Sequence, residues 1–457
     1  MTIRLHETSI SSILGDFIFK TDFECLPSNV IEEAKKCILD FLGVALAGSK
    51  HRFSKVVIDL LKSFRCKKET TIIGDGTKVS AADAALVNGV MGHILELDDG
   101  HRFAHAHPGT VVIPASLAVA ERRRASGRDL IVAIVLGYEI MIRIASAINP
   151  SHVRRGFHTT GTCGTFGATV AAAKIMKMSK EQIVNAIGIA GIQGSGLLEV
   201  FEEPIVKPYQ AGRAAQCGVY AALLAEKGVS GPKRIIEGNN GFCRATADTY
   251  MLERITENLG KNFEILRRYI KLHASCRHTH SAVDAALEII KRNRLDLAEI
   301  EEVKVKTYSI AADLVGKLYE PKSAQEAKFS LPYTLAIAIR EGKAGIRQFS
   351  EDRIFDPEVS ELAHKVEVSA DPVLDKEYPK IRPAIVTIFT KSGKEFTSRM
   401  DLPKGEPEVP VSDIELEDKY TDLATTAVSA EKAAKIISVI RHLEKIEDIS
   451  TLTELLY

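Results

Sequence analysis

The sequence predicts an α plus α+β protein: a large all-α helical domain formed by both chain ends, with a smaller α+β lid domain inserted between them. Three observations predict it. Apolar residues recur at helical spacing through 1–264, alternate at strand spacing in much of 265–405, and return to helical spacing in 406–457. A tail that resumes the texture of the first segment is expected to pack back on it, which leaves the middle as the insertion.

The elements follow in order. Pro27-Ser28-Asn29 is a stop-and-cap signal, and Val30, Ile31, Ala34, Ile38, Phe41 and Leu42 then mark one face of an amphipathic helix ending near Gly43 or at Gly48-Ser49. Segments 81–90, 111–124, 130–148, 164–176 and 211–227 are alanine-rich and apolar on most sides, which suits helices inside a bundle. Glu139 and Arg143 interrupt 130–148, so it reads as a core helix rather than a membrane span. After Ile265, Val303, Val305 and Thr307 alternate with charges as in a half-buried strand, between helical stretches at 281–292 and 324–340. The β-branched run 384–390 turns at Ser392-Gly393 into 395–399, a hairpin signature. Pro403-Lys404-Gly405-Glu406-Pro407 precedes the closing helices, of which 430–444 is the clearest.

Sixty basic residues balance sixty acidic ones, which removes the usual footprint of a nucleic-acid or anionic-membrane binder. Segment 1–7 has no apolar signal core, so a cytoplasmic location is the expectation. Seven cysteines without a CxxC spacing argue against a disulfide framework or a zinc ribbon and are expected to be small buried hydrophobes.

Two polar clusters stand out. Glu96-Leu97-Asp98-Asp99-Gly100-His101-Arg102-Phe103-Ala104-His105-Ala106-His107-Pro108-Gly109 packs carboxylates and three of the thirteen histidines between apolar helices, which a solvated loop explains poorly. Lys271-Leu272-His273-Ala274-Ser275-Cys276-Arg277-His278-Thr279-His280 lies where the α+β region begins, and interdomain clefts favour small-molecule sites. The pairs His105/His107 and His278/His280 suggest metal ligands, but no recognised ligand frame surrounds them, and no metal is expected. Lys207, between Pro204 and Pro208 at a helix entrance starting near Gln210, suits an anion, since the helix start adds positive potential. The glycine patterns Gly161-x-x-Gly164-x-x-Gly167 and Gly188-x-x-Gly191-x-x-Gly194-x-Gly196 follow no strand and read as helix packing rather than phosphate cradles. His158, just before the first of them, faces the free amides of a helix start.

In order along the chain, Asp40-Phe41-Leu42-Gly43, Ala85-Leu86-Val87-Asn88-Gly89, Leu97-Asp98-Asp99 with His107-Pro108-Gly109, Gly156-Phe157-His158 with Gly161-Thr162, Lys207-Pro208, the 271–280 segment and Lys328-Phe329-Ser330-Leu331-Pro332-Tyr333 together resemble the MmgE/PrpD family. That family contains 2-methylcitrate dehydratase, cis-aconitate decarboxylase and iminodisuccinate epimerase. The resemblance implies a homodimer working on a small di- or tricarboxylate with no cofactor. It implies catalytic roles for His107, His158, Asp98 and Asp99, and substrate contacts for Lys207, Lys271, His101, His280, Lys328 and Tyr333. Gly100-His101 stands where relatives often have threonine, and Cys276 at a position that is histidine in the animal decarboxylase. Those departures point away from decarboxylation. The leading expectation is dehydration of a 2-methylcitrate-like hydroxy-tricarboxylate, with epimerisation, then decarboxylation, as alternatives.

All three reactions plausibly pass through a carbanion beside a carboxylate. Such a species needs cations on the carboxylates and a proton carrier of near-neutral pKa, which lysine and histidine supply. A histidine-rich metallohydrolase and a non-catalytic helical scaffold are the readings from other classes.

Overall fold

Helices begin in this chain where serines can cap them: Ser80, Ser126 and Ser179 each accept a main-chain N–H from three residues on, and the latter two complete a capping box. The structure, a computed structural model, describes residues 8–457, so segment 1–7 lies outside the described residues. The chain divides into two units. One takes the residues through Ile94, Asp98–Arg268 and Asp413–Tyr457; the other takes Leu95–Leu97 and Tyr269–Ser412.

The first unit is helical. It contains α1 (Ile10–Lys20), α2 (Ser28–Gly48), α3 (Arg52–Lys62), α4 (Ala81–His93), α5 (Gly109–Arg123), α6 (Gly127–Ile148), the single turn α7 (Ser151–Arg154), α8 (Thr159–Ile175), α9 (Lys180–Gly191) and α10 (Lys207–Glu226), then the helices Asp413–Ala424 and Ala430–Arg441. Helices α4, α5, α6 and α8 are buried on nearly every side, as their alanine-rich composition requires. Helix α6 is long and apolar enough to cross a membrane, but 94% of its most apolar window is buried within the protein, which makes it the core helix expected. Close axial approach depends on glycine. A Cβ on Gly212 of α10 would stand 2.2 Å from the Leu86 carbonyl of α4, so only glycine lets these two helices meet there. The tail helix Asp413–Ala424 packs on α2, where Lys419 Nζ lies 2.5 Å from Asp40 Oδ1.

The second unit is α+β. Its sheet runs in the order Val366–Ala370, Ile300–Thr307, Ala384–Thr390, Glu395–Met400, with the first pair parallel and the others antiparallel. Val305 stands opposite both Val368 and Val386. Val303, Val305, Val386 and Ile388 are buried, and the helix His280–Asn293 packs on the hairpin strands. The hairpin turns at Gly393, whose φ of +77° suits glycine.

Several expectations need correction. The helix expected over 324–340 is two, Ala324–Ala327 and Leu331–Glu341, because Ser330 caps the second and Pro332 lies in its first turn. Helix α8 starts five residues before the expected 164, and α10 begins at Lys207 itself rather than near Gln210. Cys25 is exposed and Cys66 half-buried, so burial does not explain every cysteine.

Candidate active site

Four pieces of the helical unit converge: the C-terminal end of α4, loop 98–108, and the starts of α8 and α10. Each delivers polar groups into surroundings that are otherwise apolar.

Asp98 sits at the centre, 2% exposed. Its Oδ2 lies 2.7 Å from Nδ1 of His93, the last residue of α4, and 3.1 Å from Nδ1 of His107. A carboxylate only accepts, so both imidazoles carry their proton on Nδ1. Burial pushes the Asp98 carboxyl up, but the two rings outweigh it and hold the group well below the usual carboxylate range. The His107 Nδ1–H donates also to the Asp99 carbonyl at 2.7 Å, and its main-chain N–H donates to Thr160 Oγ1 at 3.1 Å. His107 therefore turns Nε2, with its lone pair, outward on a side chain that is 18% exposed.

His158 is the residue that opens α8. Its Nδ1 lies 2.7 Å from Gln210 Oε1, and Gln210 in turn donates to the Leu197 carbonyl at 3.0 Å. That fixes the same tautomer a third time, again leaving Nε2 as the acceptor. The His93 ring stands 5.0 Å from that of His107 and 6.1 Å from that of His158, centre to centre. Burial, and then the nearby Lys207 charge, depress the basicity of His158 well below the ordinary histidine value. Lys207 is the buried first residue of α10, with Nζ 5.8 Å from the centre of the Phe201 ring. Three imidazoles and one ammonium thus share a small volume, which suits an anionic substrate that exchanges a proton.

Asp99 does different work. Its Oδ1 accepts the Gly109 N–H at 3.0 Å and its Oδ2 the Tyr138 hydroxyl at 2.7 Å, so the carboxyl ties the loop to α5 and α6. A Cβ on Gly109 would lie 2.7 Å from Asp99 Oδ1 and 2.7 Å from the Tyr138 hydroxyl oxygen, which requires glycine after His107-Pro108. Burial pushes the Asp99 carboxyl up to about 6. Asp99 anchors the loop that aims His107 instead of facing a substrate.

His101 is not with the cluster. Its Nδ1 accepts the Ala104 N–H at 3.1 Å and its Nε2 faces Glu264 at 3.5 Å, bracing the loop from within.

The remaining candidates belong to the α+β unit. Lys271 is buried and donates to the Glu96 carbonyl at 2.9 Å, with the Glu96 carboxylate 3.7 Å away. Glu96 holds a positive φ of 55°, a conformation that this bond supports. His280 accepts from Arg277 at 3.0 Å through Nδ1 and gives Nε2–H to the Ser275 carbonyl at 3.3 Å, so both nitrogens are occupied. Burial and the Arg277 charge keep it neutral, well below the ordinary histidine value. The Tyr333 hydroxyl donates to the Gln348 carbonyl at 2.5 Å in the core. Lys328 is buried at the end of Ala324–Ala327, where its carbonyl accepts the Cys276 N–H at 2.8 Å. The geometry gives His101, His280 and Tyr333 structural duties.

His93 and Gln210 were missed in the sequence. His93 is a lone histidine at the end of an apolar helix, and only its spacing of five from Asp98 could have signalled it. His93, Asp98 and His107 are also the one group of metal-ligand type among the described residues, with ligand atoms within 4.8 Å of one another. Neither HxH pair forms such a group there. The ligand atoms of this trio already hydrogen-bond to one another, so an ion would have to displace both Nδ1 protons.

A helix-rich unit and an α+β unit, with an imidazole–carboxylate–ammonium site in the first, define an acid–base architecture suited to small anions. The chain belongs to the MmgE/PrpD family: the MmgE/PrpD N-terminal domain matches residues 12–254 and the MmgE/PrpD C-terminal domain residues 273–445. It is 30% identical over 453 residues to a cis-aconitate decarboxylase of Aspergillus terreus, covering 94% of this chain and 92% of the relative. A human cis-aconitate decarboxylase is 28% identical over 94% of this chain and 91% of its own. A mitochondrial 2-methylcitrate dehydratase of Yarrowia lipolytica is 24% identical over 80% of this chain and 73% of its own. The departures at Gly100 and Cys276 pointed away from decarboxylation, whereas likeness over the whole chain leans to the decarboxylases.

Proposed function

We propose that this protein decarboxylates an unsaturated tricarboxylate resembling cis-aconitate. The observation that carries the reading is the contrast in coverage: relatives named for that decarboxylation align over 94% of the chain at 28–30% identity, the dehydratase over 80% at 24%. In the reaction a C–COO⁻ bond breaks and CO₂ leaves. The electron pair stays on carbon, delocalised toward a neighbouring carboxylate, and a proton then closes that carbon. Lys207 neutralises a carboxylate, and His107, held through Nδ1 with Nε2 left to the substrate, delivers the proton. His158 stands across the same volume as a neutral acceptor.

Dehydration of a 2-methylcitrate-like substrate is the second reading, kept open because Gly100 and Cys276 depart from the decarboxylase pattern. Incubation with cis-aconitate and with 2-methylcitrate, followed by CO₂ capture and NMR of the products, separates the two. CO₂ and an unsaturated dicarboxylate from the first substrate, with the second untouched, is the expected result. Loss of water from 2-methylcitrate without CO₂ would replace the reading with dehydration. The same reading carries a homodimer, which light scattering on the purified protein tests directly.

A further inference from the structure

His93 is fully buried, unlike the partly exposed His107, yet it makes the shorter of the two bonds to their shared carboxylate, 2.7 Å against 3.1 Å. Its Nε2 and the second Asp98 oxygen, Oδ1, are both buried and have no hydrogen-bond partner among the described residues. A buried imidazole left half unsatisfied destabilises the fold, so a packing role alone explains it poorly. We propose that His93 is a positioning residue: by taking Asp98 Oδ2 as its own acceptor, it limits the hold of that carboxylate on His107 and so sets the basicity of the His107 Nε2.

The electrostatics of the trio have few other sources. His158 from α8, Lys207 from α10 and Asp99 from the loop face it, and Tyr138 and Arg268 stand behind Asp99. None of these donates to Asp98 Oδ2; among the described residues the two histidines do. Without the His93 N–H the carboxylate turns wholly to His107, whose imidazolium it then stabilises more strongly, and His107 titrates at higher pH. An asparagine at 93 keeps an N–H donor near the position of the ring Nδ1, whereas phenylalanine keeps the ring and loses the donor.

The inference rests on the proposed role of His107 as proton carrier, so its test uses a readout that needs no substrate. Protein labelled with ¹³C at histidine Cε1 is titrated by NMR as wild type, His93→Phe and His93→Asn, with His107→Gln to assign the His107 signal. The expected result is a His107 midpoint raised by roughly 0.5–1 pH unit in His93→Phe and restored in His93→Asn. Where turnover is measurable, the acidic limb of kcat/KM moves by the same interval. An unmoved His107 midpoint in folded His93→Phe overturns the proposal and leaves His93 a packing residue. Should His93→Phe fail to fold, His93→Leu provides the same comparison. A shifted midpoint with no turnover on any carboxylate would sustain the coupling and reject the decarboxylase reading alone.

Discussion

In the helical unit, His93, His107 and His158 each engage Nδ1 with a fixed acceptor and show no partner for Nε2 among the described residues; in the α+β unit, His280 engages both nitrogens, and His273 pairs with Asp284 at 2.9 Å. His93 and His158 in the first unit and His273 and His280 in the second are alike buried. What separates them is satisfaction of hydrogen-bonding capacity. A site keeps polar atoms in reserve for something not yet bound, whereas His280 has both ring nitrogens engaged. Arg277 illustrates the second case, held by Glu406 at 3.1 Å and by the carbonyls of Pro403 and Lys404.

The contrast is sharpest at the proton carriers. His107→Gln and His158→Gln are each expected to lower kcat at least a hundredfold, since placed acid–base groups contribute about 10²–10⁴ in rate. Melting temperatures should stay near wild type. Early melting with normal turnover would move both histidines into the scaffold class.

Lys207→Ala comes next. Truncating a cation that pairs with a desolvated carboxylate raises KM, with about 2–5 kcal/mol lost from kcat/KM. Lys271→Ala should have the smaller kinetic effect, because that ammonium already holds the Glu96 carbonyl. Equal kinetic losses would show that the two lysines share the substrate.

A pH test addresses Asp99. Its folded-state pKa of about 6 exceeds the ordinary 3.8, so the folded state binds this proton more tightly than the unfolded chain. The resulting stabilisation is complete below pH 4 and is lost as pH rises through 6, about 3 kcal/mol in all. Denaturant titrations of wild type and Asp99→Asn should therefore diverge across that window, with wild type losing ground. Parallel curves would contradict the buried anchor.

The smallest effect is expected at Tyr333→Phe. It strands the Gln348 carbonyl, for a loss of roughly 1–3 kcal/mol in stability with kcat unchanged. A fall in kcat in the folded variant would return Tyr333 to the site.

Helical texture was legible because burial imposes periodicity, and the hairpin 384–399 because its turn needs glycine. The break at Lys328-Phe329-Ser330 was not, since alanine-rich flanks hide a cap that depends on the Ser330 side chain. The strand Val366–Ala370 was missed because only Val366 in it is buried, which leaves little alternation to read. That Asp98, His107, His158 and Lys207 are candidates was legible from type and clustering, and the fold brings them together. The separate duty of Asp99, the bracing roles of His101 and His280, and the presence of His93 depend on which atom meets which, and spacing does not encode that.

The claim most exposed to test is that a carbanion is protonated by the histidines of the helical unit. Turnover of cis-aconitate in heavy water should place one deuterium in the product for each CO₂ released, and His107→Gln should abolish both together. Continued CO₂ release with full deuterium incorporation in folded His107→Gln and His158→Gln variants would contradict it, and would put the proton carrier elsewhere in the molecule.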